Sequence, residues 1–135
     1  MKINRGFIFG LAAGWMTGCA VALAGFAALR HLWPAYAAVE AQHAYTLPMS
    51  LSRLTLGVVG AASAGAVATL IARDTGRAAW WLGGQFLALS LAIHIREWAL
   101  YPVWYHLVYL TTLAPVTGLG GKLAARVRGG QPPHA

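Results

Sequence analysis

Apolar residues run along this chain in four long blocks, and charge appears only outside them. The blocks cover residues 6–29, 54–72, 78–95 and 99–121, which is 24, 19, 18 and 23 residues. All ten Lys and Arg and all three Asp and Glu fall outside them. A helix rises ~1.5 Å per residue, so about 20 residues cross a hydrocarbon core of roughly 30 Å. In lipid the backbone groups of such a run are satisfied within the segment, so each block is expected to be a transmembrane helix. Adding interfacial flanks places the spans at about 6–29, 50–72, 78–97 and 101–122. The expected fold class is all-α: a polytopic integral membrane protein with four transmembrane helices in an antiparallel bundle. Residues 1–128 form one membrane domain, and 129–135 read as a disordered, Gly/Pro-rich cytoplasmic tail.

The connections carry their own signals. Pro34 suits the first turn of a short helix in the segment after span 1, where Trp33, Tyr36 and Tyr45 are interfacial residues. Thr46 followed by Pro48 marks a helix start, which would carry Arg53 more than a turn into span 2. There it is expected to snorkel outward or to meet a carboxylate. The Arg73–Arg77 turn is short, so spans 2 and 3 are expected to pack as antiparallel neighbours. Pro115 lacks an N–H and frees the carbonyl of Thr111, which predicts a kink eased by the Thr111 or Thr112 hydroxyl. Lys2 and Arg5 before an apolar run, Ala35-Tyr36-Ala37 and the stretch Met16-Thr17-Gly18-Cys19 each hint at a cleavage site. The first run is too long for an ordinary signal segment, and the residues after Cys19 stay apolar, so a retained span is the expectation.

Charge sets orientation rather than partner class. The net charge is +7, a value that in a soluble chain would suggest nucleic acid. Here Lys2, Arg5, Arg73, Arg77, Lys122, Arg126 and Arg128 flank one set of span ends, and only Arg30, Arg53 and Arg96 flank the other. By the positive-inside rule both termini are cytoplasmic, in the inner membrane of a bacterium-like cell, with no nucleic-acid partner.

Gly6, Gly10, Gly14 and Gly18 recur every four residues, and Gly57, Ala61 and Gly65 repeat the spacing in span 2. Such stripes let helices approach closely. The favoured use is packing of span 1 on span 2; a homo-oligomer seam or contact with a partner membrane subunit is the other.

Candidate chemistry collects at the outer end. His94 and His106 each lie six residues from Leu100, hence at equal depth if a hairpin turns there. With His43 and Glu97 they compose a candidate metal site, since imidazole and carboxylate suit zinc, iron or copper. A b-type haem between His94 and His106 is a further candidate. Equal depth does not fix direction, so the rings either face each other or point apart. Glu40 and Arg53 complete this layer, within a setting of Trp98, Tyr101, Trp104, Tyr105 and Tyr109 that also suits a lipid or quinone. The bland alternative is an interfacial belt with no ligand and no cofactor. No nucleophile sits beside a base in a recognisable turn and no phosphate-cradling loop precedes a helix. The expected role is therefore non-enzymatic: an accessory or binding protein, with a metal- or haem-binding subunit and a small transporter or channel protomer as alternatives.

The orientation is checked by cysteine labelling from outside intact cells. Gln42→Cys is expected to react with an impermeant maleimide, and Gly129→Cys to be protected until the membrane is opened. The reverse pattern would turn the bundle over.

Overall fold

The computed structural model describes residues 5–129. Among the described residues the fold is all-helical, with five α-helices: α1 (Arg5–Leu32), α2 (Pro34–Val39), α3 (Leu47–Ala72), α4 (Arg77–Arg96) and α5 (Val103–Gly129). Short 3-10 turns at Glu40–Gln42 and Trp98–Leu100 complete the connections at the end of the bundle away from the α3–α4 turn, labelled the outer end for the orientation expected from charge. Among the described residues, α1, α3 and α4 are long and apolar enough to cross a membrane by length and composition. α5 has the length, at 27 residues. Its tyrosines, His106, Pro115 and glycines dilute its hydropathy, although 99–121 holds no charge.

The local signals act as their chemistry requires. Pro34 opens α2, and α3 starts at Leu47 with Pro48 in its first turn. The turn from α3 to α4 passes through left-handed conformations at Arg73 (φ 55°) and Gly76 (φ 106°). Asp74 then caps α4, its two carboxylate oxygens accepting from the Gly76 and Ala78 N–H groups at 2.8 Å each, a favourable anion at a helix N-terminus. α5 is continuous through Pro115. The Thr111 and Thr112 hydroxyls donate back to the Leu107 and Val108 carbonyls at 2.7 Å. They thus serve carbonyls one turn earlier than the Thr111 carbonyl that Pro115 frees.

The four long helices close in the order α1, α3, α5, α4. α1 lies along α3, α3 along α5 and α5 along α4, while α4 meets α3 and α1 more sparingly. This differs from the simple hairpin expected for spans 2 and 3. The short turn holds their ends together, but each packs on α5 more extensively than on the other. The reason is steric. A side chain at Gly65 would overlap the Thr117 carbonyl, and one at Gly120 the Ala62 carbonyl. α3 and α5 therefore meet nearly backbone to backbone, which gains dispersion contact that lipid cannot match.

The glycine stripe of α1 faces inward. A methyl at Gly10 would lie 2.5 Å from the Ala68 carbonyl oxygen, and one at Gly14 2.5 Å from Leu82 Cδ2 and 2.9 Å from the Ala64 carbonyl oxygen. Gly18 looks toward Phe86, and Gly6 is half-buried at the start of α1. On α3 the row that meets α1 is Gly60, Ala64 and Ala68, whereas Gly57 and Gly65 face Tyr109 and Thr117 of α5. The two rows on α3 thus serve different neighbours.

Burial is inverted relative to a water-soluble protein. The interior is rich in Ala, Gly and Thr, with Ala64, Ala68, Ala78, Ala79, Thr69 and Thr117 fully covered. Large apolar side chains point outward, among them Met16 and Leu23 at 73% exposure. Contiguous apolar surface of this extent is a liability in water and suits lipid.

Gly14→Leu is expected to disrupt the bundle, since the new side chain meets backbone as well as Leu82. Gly84, with nothing within 4 Å of an added methyl, is the control: Gly84→Ala should match or slightly exceed wild-type thermal stability in detergent, by up to about 1 kcal/mol from helix propensity. Equal stability of Gly14→Leu would place the stripe on the lipid side.

Candidate functional site

The outer connection folds back over the bundle. Arg30 at the end of α1 grips Glu40 with two hydrogen bonds, Nε to Oε2 at 2.6 Å and Nη2 to Oε1 at 2.8 Å. This clamp, the one ion pair among the described residues, holds α2 beside α1. His43 (φ 53°) then turns the chain toward α3. As a result Tyr36, fully buried, and Tyr45 come to lie over Arg53.

Arg53 finds phenols instead of a carboxylate. Its Nη1 donates to the Tyr36 hydroxyl at 2.6 Å and to the Tyr45 hydroxyl at 3.2 Å. Its Nη2 donates to the Tyr101 hydroxyl at 3.3 Å and its Nε to the Tyr105 hydroxyl at 3.4 Å. The guanidinium carbon also stands 4.6 Å from the Tyr45 ring centre and 4.9 Å from that of Phe26. Such cation–π contacts help offset the cost of removing the charge from water. Burial pushes the Tyr45 phenol upward, so it remains a neutral O–H.

His94 and His106 face each other. Their Nδ1 atoms are 2.6 Å apart and the rings meet edge to face. His106 is fully buried, stacked on Trp98 at 4.5 Å, with Nε2 3.2 Å from the Trp98 carbonyl oxygen. That carbonyl can only accept, so Nε2 carries the proton. With both rings neutral, His106 Nδ1 is then the acceptor and His94 Nδ1 the donor. His94 packs against the Tyr109 ring at 4.8 Å.

The expected metal quartet of His94, His106, His43 and Glu97 does not converge. His43 sits against Tyr45 and Tyr101, on the Arg53 side. No group of three or more His, Cys, Asp or Glu among the described residues is placed to hold a metal. The histidine nitrogens are also too close. Two zinc–nitrogen bonds of about 2.0–2.1 Å at a tetrahedral angle span roughly 3.3 Å. A haem requires still more room than two touching rings leave. As arranged, the pair is a hydrogen bond that ties α4 to α5.

Between these groups lies a cavity of about 340 Å³, at the small end of the usual range for ligand pockets. All four long helices line it. Its outer end is polar, with Arg53, His94, Glu97, Tyr101, Tyr105 and Tyr109. Its inner part is apolar, with Trp15, Ala22, Leu56, Phe86, Leu89 and Ile93. Trp15 donates to the Gln85 side-chain oxygen at 2.7 Å and meets Phe86 edge to face at 4.5 Å, which closes α1 on α4 at the cavity floor. The apolar lining escaped the sequence reading, because which faces of α1 and α4 confront each other depends on α5 standing between α3 and α4.

Compared with known protein families, characterised proteins and solved structures, the chain matches none. A fold class alone assigns no activity, so function rests on the site.

The Arg30–Glu40 clamp gives a pH dependence. The hydrogen bonds from Arg30 hold the Glu40 carboxyl below its ordinary value. The clamp therefore contributes fully above the ordinary carboxylate range, near pH ~4.3, and its contribution disappears as pH falls through the lowered value. Glu40→Gln is expected to show a smaller loss of thermal stability than wild type between about pH 5 and 3. Its effect at neutral pH should be slight, since exposed pairs contribute little. Identical acid slopes would show that the clamp adds nothing.

Proposed function

We propose that this chain is a small, non-enzymatic, four-span protein of the inner membrane, with both termini cytoplasmic, that binds a lipid-soluble small molecule in its outer half. The observation that carries the reading is the cavity: apolar within the bundle, polar at its outer end, and lined by all four long helices. The inverted burial supports a lipid setting. The four-span arrangement is supported by α5, which packs along α3 and α4 and, at 27 residues, is as long as the candidate spans. The orientation is supported by the gathering of basic residues at one end, where Arg77 covers Phe7, Lys122 covers Trp80 and Arg128 donates to the Thr69 and Asp74 carbonyls.

The layout suits an amphipathic molecule from the bilayer. α1 and α4 are joined mainly near the cavity floor and the inner end, through Trp15, Gln85, Phe7 and Leu82. Above that tie the flanking side chains of both helices border the cavity, which makes the space between α1 and α4 the proposed entry from the bilayer. A polar tip then rests among the tyrosines and an apolar body against Phe86, Leu89 and Ile93.

Native mass spectrometry of the full chain, released from membranes in mild detergent, tests this. Wild type is expected to retain a defined lipid-soluble molecule, and Ala22→Trp, which fills the cavity, to reduce occupancy about tenfold. Wild type carrying only bulk lipid in the membrane's own proportions, or equal retention by the filled variant, would overturn it.

A further inference from the structure

We propose that the cavity recognises the head of its ligand through Arg53, and that the ligand is an anionic amphiphile: a carboxylate or phosphate head on an apolar chain. This rests on the cavity reading above and adds the chemical class of what enters.

The geometry around Arg53 is lopsided. Tyr36 and Tyr45 hold the guanidinium from the loop side and do not border the cavity. Tyr101 and Tyr105 do border it, and they make the two longest contacts, 3.3 and 3.4 Å. Bonds from a guanidinium to an anionic oxygen settle near 2.7–2.9 Å. The one short bond of Arg53, 2.6 Å to Tyr36, lies on the loop side, and the cavity side has none. A guanidinium has five N–H donors, and the four phenols take four of them. One Nη2 proton remains.

The same layer has donors in excess. Each phenol lends its oxygen to Arg53 and keeps an O–H of its own. Tyr101, Tyr105 and Tyr109 all border the cavity. The Tyr109 side chain is already hydrogen-bonded to Ser90; for the Tyr101 and Tyr105 hydroxyl protons and the last Nη2 proton, an oxyanion supplies several lone pairs at once. The charge balance agrees. Glu40, the nearest acidic residue in the loop, is committed to Arg30 by two bonds. Glu97 borders the cavity at the end of α4 without reaching Arg53 within ion-pair distance. A positive charge at membrane depth without a carboxylate partner is costly, and such groups mark ligand sites. Trp15, Leu56, Phe86, Leu89, Ile93 and Leu113 line the remainder, which calls for a chain on the anion rather than a free anion.

The test is a titration of the purified full chain in neutral detergent with dodecyl phosphate, dodecanoate, dodecanol and inorganic phosphate, read by tryptophan fluorescence and calorimetry. The two anionic amphiphiles are expected to bind at least about tenfold more tightly than dodecanol. Inorganic phosphate should compete only weakly. Arg53→Gln should remove the preference for anions and leave dodecanol binding in place. Should Arg53→Gln fail to fold, Tyr101→Phe and Tyr105→Phe leave the loop-side anchor intact and should each lower the anion preference about threefold or more. Dodecanol binding as tightly as the anions would overturn the headgroup inference while the cavity reading stands. Inorganic phosphate competing on equal terms with dodecyl phosphate would overturn the amphiphile. No binding of any probe beyond micelle partitioning, with Ala22→Trp behaving like wild type, would overturn the cavity reading itself.

Discussion

Close approach of backbones through small side chains sets the geometry of this bundle. Without a hydrophobic drive between helices in lipid, contact area and interhelical hydrogen bonds are what hold them. Gly65 and Gly120 let α3 and α5 touch main chain to main chain, and Gly10 and Gly14 bring α1 onto α3. These seams fix where each helix axis lies. Above them bulky side chains stand between the axes, Phe86 against Gly18 and Tyr109 against Gly57. Trp15, Phe86 and Tyr109 hold the axes apart there, and the cavity is the space they leave.

The polar layer then locks that outer half. Three ties act there: Arg30–Glu40 draws the loop to α1, Arg53 of α3 gathers tyrosines from the loop, the second outer turn and α5, and His94–His106 joins α4 to α5. The Arg53 and histidine ties satisfy groups that would be expensive to leave bare, whereas the exposed Arg30–Glu40 pair mainly positions the loop. They are also interdependent. The clamp at Glu40 and the Tyr36 bond to Arg53 hold the same loop inward, and Tyr101 sits both against His106 and beside Arg53.

Much of this was legible along the chain. Four charge-free blocks announce long helices, and Pro34, Thr46 and Pro48 mark starts that the structure uses. Counting six residues to either side of Leu100 put His94 and His106 at one depth, and they meet. What counting does not supply is separation: depth alone could not distinguish a metal-bridging gap from a hydrogen bond of 2.6 Å. The partner of Arg53 was also hidden. Two of its four phenols lie in a loop whose return path follows from the Arg30–Glu40 clamp, a pair ten residues apart with no helical periodicity to suggest it. Gly118, Gly120 and Gly121 went unnoticed as a packing face because they lack the four-residue spacing that reveals the stripe in α1. They nevertheless face Trp80, Ala62 and Ala79.

The choice of tyrosine over carboxylate around Arg53 is itself informative. A carboxylate at 2.8 Å would neutralise the guanidinium and close the layer, as Glu40 does for Arg30. Phenols solvate the cation without cancelling it. They also present rings to its face, and those rings, Tyr45 and Tyr101, stack on each other at 6.0 Å with their planes 5° apart. The result is a charge that is held in place yet still expressed toward the cavity. A wall that is rigid, positive and rich in hydroxyl protons favours an anion over a neutral head by preorganisation, since little has to move when the oxyanion arrives. The hydrogen bond between His94 and His106 extends the same rigidity across the opposite side, where the His94 ring braces Tyr109 against the cavity.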